Sequence, residues 1–145
     1  MRPRRYTKSR WRKKGISKNG SAITEFALVA LIFSVLLFGI IDMSRLMLMY
    51  HHVGNAAREG TRYAIVHGST SLTPASADNV VNYIKSISPV DPNKMNALTT
   101  WPDGNSNAPG KHVIVKVTYP FTFILPVLSG YTITLSSQSE MVISY

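Results

Sequence analysis

Residues 19–41 read NGSAITEFALVALIFSVLLFGII, and this stretch decides how the chain is organised. From Phe26 to Ile41 there is no charged side chain, and Glu25 stands at the entrance to the run. An ionised carboxylate costs roughly 2.5 kcal/mol or more at the centre of a bilayer, so an acid on an apolar span is a functional candidate by default. The sixteen residues from Phe26 to Ile41 cover roughly 24 Å at about 1.5 Å each, a little short of a bilayer core. Ala22, Ile23 and Thr24 complete the crossing.

The flanks of this stretch differ sharply in charge. Residues 1–20 carry nine basic side chains (Arg2, Arg4, Arg5, Lys8, Arg10, Arg12, Lys13, Lys14 and Lys18) and no acidic one. The remaining 7 basic residues balance all 7 acidic ones, so the net charge of +9 belongs to the leader alone. A basic tail suits nucleic acid or anionic lipid. Beside an apolar span it is more simply a topology signal that stays in the cytoplasm, with Trp11 at the inner headgroup layer. No nucleic-acid partner is expected; membrane lipid is. The chain has no cysteine, which excludes disulfides, thiolate catalysis and cysteine-ligated metals.

A cleaved secretory signal would have a shorter apolar region ending at a small-residue site. Here the run is long and continues into Asp42-Met43-Ser44-Arg45-Leu46-Met47. A cut is better placed before the run, after Gly20, which leaves the apolar segment as an anchor. A basic leader, a glycine, and a glutamate five residues later opening an apolar helix is the layout of a prepilin-type signal. Cleavage there makes Ser21 the new terminus, with an amine of pKa about 8 that is largely cationic at neutral pH. Ser21 and Glu25 are four apart and share a helix face. The amine of the same or an adjacent subunit then offsets the cost of the carboxylate in lipid, which makes Glu25 an assembly register device. The alternative is an interfacial Glu reaching headgroup water.

The helical pattern runs on past the membrane. Between Asp42 and Val66 there is no proline, and Leu46, Met49, Tyr50, Val53, Ala56, Ala57, Tyr63 and Ala64 follow three- and four-residue steps. Gly68 is the stop. A helix from Ala22 to Val66 would be about 68 Å long. Asp42 and Arg45 are three apart and pair near the outer interface.

Two blocks in residues 20–68 resemble the TadE-like family of pilin-related proteins. One is Gly20 with Glu25-Phe26; the more discriminating one is Asn55-Ala56-Ala57-Arg58-Glu59-Gly60-Thr61-Arg62-Tyr63-Ala64. The resemblance implies a pseudopilin or minor pilin of a tight-adherence (Tad) pilus, cut after Gly20 by a prepilin peptidase. Its implied partners are that peptidase, other pilins or pseudopilins and Tad membrane components. Major pilins of these systems usually carry Glu-Tyr where this chain has Glu25-Phe26. Ser21 is also not the bulky first residue common in other type IV pilins. Both departures, and the long C-terminal region, argue against a major pilin. Within the second block Glu59 and Arg62 can pair, while Arg58 and Arg62 share a face and repel unless an acid lies between them. That acid would come from a neighbouring subunit or the C-terminal domain; otherwise this is a solvated charged face.

After Gly68 the composition shifts to Ser, Thr, Asn and Pro. Thr73-Pro74 reads as an N-cap with proline at the first helical position, opening a short helix whose face is Ala77, Val80, Val81, Ile84 and Ile87. Residues 88–111 read as an irregular excursion, with a third strand near Ala97–Trp101. His112 to Tyr119 alternates as a half-buried strand, and a second begins at Tyr131, Ile133 and Leu135. The two pair antiparallel and pack on a helix. The connecting segment, Pro120 to Gly130, is unusually apolar. It either marks a partner or membrane surface or folds under the sheet to complete a small core, the favoured reading because small domains need every apolar residue.

The predicted organisation is α+β: a leader over 1–20, a transmembrane and projecting helix over 21–68, and an extracytoplasmic domain over 69–145. The expected place is the cytoplasmic membrane, single-pass, N-terminus in the cytoplasm and C-terminus outside, or the pilus after processing. His51 and His52 point to different helix faces and do not chelate. No phosphate loop, metal motif or nucleophile elbow appears, so neither an enzyme, a cofactor nor a metal is expected. The rival readings are a permanently anchored extracytoplasmic binding protein and, less favoured, a nucleic-acid-binding protein using the leader.

Overall fold

The computed structural model describes residues 18–144. The expectations for the leader, its basic cluster and Trp11 fall on residues 1–17, outside the described residues. By its contacts the chain divides into two compact units, one ending at Leu36 and one beginning at Leu37.

Helix α1 spans Lys18–Val66. No proline interrupts it, and serine hydroxyls on its apolar part bond back to its own carbonyls. The Ser34 hydroxyl donates to the Ala30 carbonyl at 2.7 Å and that of Ser44 to Ile40 at 2.9 Å. Such back-bonding lets a hydroxyl sit on an apolar helix without an unmet donor. In the first unit nearly every described side chain is exposed, including Phe26, Leu31 and Phe33. Among the described residues α1 is the one helix long and apolar enough to cross a membrane.

The second unit is built on the later part of α1. Val53, Ala56, Ala57, Gly60, Thr61 and Ala64 are all buried, at the three- and four-residue steps of one helix face. This face is small because its neighbours come close. A Cβ added at Gly60 would lie 2.7 Å from Ile84 Cγ1 and 3.2 Å from Val115 Cγ1. The buried Thr61 hydroxyl donates to the Ala57 carbonyl at 2.7 Å, with the Ser139 carbonyl 3.4 Å away.

Helix α2 spans Ala77–Ile87 and buries Val80 and Ile84. Its N-cap is Ser76, whose hydroxyl accepts from the Asn79 N–H at 3.2 Å, not Thr73. The proline signal at Pro74 misplaced the start, because a serine nearer the apolar face closes the first turn.

Strands β1 (Asn96–Thr100), β2 (His112–Thr122) and β3 (Thr132–Val142) form an antiparallel sheet in that order. The third strand expected near Ala97–Trp101 is β1, and it turns a marginal hairpin into a stable sheet. Val113, Val115 and Val117 are fully buried and Phe121 is 2% exposed, so one face of β2 is the centre of the core. β2 continues past Tyr119 through Pro120. β1 reaches only Thr118 in its register, so Pro120, still in register with Thr134 of β3, lies where the other side of β2 has become an open edge, the setting in which strands accept proline. In β3 the apolar reading fails at its start. Leu135 is buried, but Ile133 is 44% and Tyr131 68% exposed.

Candidate functional site

The processing and assembly candidates lie at the start of α1. Gly20, Ser21, Glu25 and Phe26 are all exposed, and all four are helical. The Thr24 hydroxyl reaches back to the Ser21 carbonyl at 2.8 Å and the Gly20 carbonyl at 3.2 Å, so the Gly20–Ser21 peptide is tied into the helix. Ser21 and Glu25 fall one turn apart on it. Among the described residues Glu25 has no ion-pair partner.

The second arrangement begins at Asp42, the first residue after the apolar run. Asp42 is only 3% exposed. Its carboxylate accepts from the Ile124 N–H (3.1 and 3.0 Å to the two oxygens), from the Leu125 N–H at 2.8 Å, and from Arg45 at 2.9 Å. The Arg45 guanidinium in turn lies 5.3 Å from the centroid of the Phe121 ring, a cation–π distance. A buried carboxylate is tolerated when it is paired and its lone pairs are filled, and these donors meet both conditions. The Asp42–Arg45 pair follows from the spacing. The capture of a loop 82 residues away does not; its only trace in the sequence is an acid standing directly after an apolar run.

That capture divides the segment 120–130 between the two readings of it. Phe121 enters the core and Phe123 packs against it. Ile124, Val127 and Leu128 are 53%, 74% and 37% exposed. The expectation that the whole segment folds under the sheet is therefore corrected. Asp42 holds the backbone of Ile124 and Leu125 against α1, and the chain beyond them stays at the surface.

In the charge cluster Glu59 and Arg62 pair at 3.3 Å with both side chains well exposed. Arg58 is exposed, and among the described residues the C-terminal domain supplies no carboxylate to either arginine. An exposed pair of this kind contributes about 0.2–1 kcal/mol. Asp103 accepts from both the backbone N–H and Nδ1 of His112 at 2.8 Å. The His112 backbone bond, with the ring contact added, holds the Asp103 carboxyl below the usual carboxylate range. His67 stacks on Tyr63, which stacks on Tyr83. Among the described residues no cluster of His, Asp and Glu could hold a metal ion.

Residues 20–62 match the family model described as TadE-like protein. The match takes in Gly20, Glu25-Phe26 and the block from Asn55 to Arg62, and stops before α2 and the sheet. No curated protein and no solved structure matches the chain.

Proposed function

We propose that this chain, TadE-like over residues 20–62, is a pseudopilin or minor pilin that supports assembly of a Tad-type pilus. It is a single-pass protein of the cytoplasmic membrane, with the basic leader inside and the α+β domain outside. Its role is structural. The observation that carries the reading is Glu25 exposed on an apolar helix without an ion-pair partner among the described residues. A lone carboxylate on a membrane helix demands a cation, and cleavage after Gly20 supplies one at Ser21, a helical turn away.

Gly20 also suits a cleavage point because it is the poorest helix former of that turn, costing about 1 kcal/mol relative to Ala. A peptidase has to open the helix to reach the peptide bond, and the opening is cheapest there. Phe26 extends the apolar face beside Glu25. The exposed Arg58 and Arg62 offer cations to a neighbouring subunit's carboxylate.

N-terminal sequencing of protein purified from membranes tests the processing. Ser21 is the expected first residue, and Met1 as the only terminus refutes it. Glu25→Ala is expected to leave membrane insertion intact and to reduce co-purification with other pilus components at least tenfold. Unchanged assembly by this variant would leave the permanently anchored binding protein as the better reading.

A further inference from the structure

We infer that the β2–β3 connection, Phe123–Tyr131, is a second membrane contact, seated in the lipid surface where α1 leaves the bilayer. The inference rests on the spanning reading of the apolar run and goes beyond it, because it gives the folded domain its own lipid-binding tip.

The position of this connection follows from contacts along α1 within the second unit. Asp42 holds Ile124 and Leu125, and Arg45 faces Phe121. Leu46 and Tyr50 share an apolar cleft with Leu135. Gly54 faces Ser137, Thr61 lies beside Ser139, and the Ser144 N–H donates to the Ile65 carbonyl at 3.2 Å. As α1 proceeds away from Ile41, the chain from Leu135 through β3 to Ser144 therefore proceeds beside it. Within the second unit the β2–β3 connection is the end of the domain held at Asp42, the residue that follows Ile41.

Its chemistry suits lipid. From Val117 to Ser139 there is no Asp, Glu, Lys, Arg or His. Val127, Ile124 and Leu128 are exposed, as are Met43 and Met47 on α1. Tyr131, 68% exposed, is of the type enriched at membrane–water interfaces. Backbone entering a low-dielectric layer must have its donors met. The Leu128, Ser129 and Tyr131 N–H groups are bonded within the loop, those of Ile124 and Leu125 go to Asp42, and Pro126 has none, which leaves the N–H groups of Val127 and Gly130 to the headgroup layer. The opposite end of the sheet is polar, with Asp103, Asn105, Asn107, Lys111 and His112. Lipid suits a tip that is apolar, uncharged and held to Asp42, directly after the apolar run.

The absence of native cysteine makes the test direct. Full-length Phe33→Cys, Val127→Cys and Leu72→Cys variants are labelled with bimane and reconstituted at high dilution in phosphatidylcholine vesicles containing nitroxide lipid. Position 33 reports the span, position 127 the tip, and position 72 the exposed far end of the domain. Quenching at 127 at least threefold above that at 72, together with quenching at 33, is the expected result. Quenching at 33 with none at 127 overturns the inference alone. A blue-shifted but unquenched label at 127 assigns the tip to a second copy of the chain and overturns it as well. No quenching at 33 removes the spanning reading and the inference with it.

Discussion

The two halves of helix α1 make opposite use of apolar side chains. Before Ile41 they are large (Leu, Ile, Phe and Val) and exposed; beyond Asp42 the buried face is Val53, Ala56, Ala57, Gly60, Thr61 and Ala64. Large exposed apolar groups require an external apolar medium. Small buried ones give little transfer energy each but let a sheet and a second helix come close, where dispersion contacts accumulate. One helix thus carries an exposed apolar stretch long enough to cross a membrane and a buried face for its own domain, and Asp42 stands at the change.

The contrast breaks most visibly if the core behaves like the span. Ile84→Ala is expected to cost the domain about 2–5 kcal/mol, measured by denaturant unfolding in detergent micelles. Gly60→Val, which drives a side chain into Ile84 and Val115, is expected to cost about 1–3 kcal/mol in the same assay. Leu31→Ala on the exposed half is expected to change domain unfolding by no more than about 0.5 kcal/mol; a loss equal to that of Ile84→Ala would erase the distinction. Arg62→Ala, on the solvent side of the packed half, is expected to cost less than about 1 kcal/mol.

The smallest effect is that of pH. Asp103 has a lowered folded-state pKa, so its contribution is present above the ordinary carboxylate value of about 3.9 and is lost as pH falls through the lowered value. Unfolding midpoints are expected to fall as pH drops below about 3.9, and Asp103→Asn is expected to flatten that fall. A variant as acid-sensitive as the parent would place the effect on another carboxylate.

Much of this architecture is legible in the residues because it is local. An uninterrupted apolar run without proline makes a helix whatever it later touches. Alternation at Val113, Val115 and Val117 makes a strand with one buried face. The placing of Ser21 and Glu25 one turn apart is likewise a matter of spacing along one helix. Where local signals competed, they misled: Thr73-Pro74 looked like a helix start, but Ser76 caps α2. Pro120 looked like a strand end, yet β2 passes through it because β1 has already stopped.

What the chain determined by itself was the order of its parts: a basic N-terminal stretch, a long apolar helix with one acid at its mouth, and a mixed α+β region. Tertiary structure alone decided the fate of Asp42 and of the apolar connection. A carboxylate fills its lone pairs with whatever donors the fold brings near, and here they are the backbone N–H groups of Ile124 and Leu125. Backbone N–H groups are the same in every sequence, so no residue pattern announces which of them a distant acid will hold.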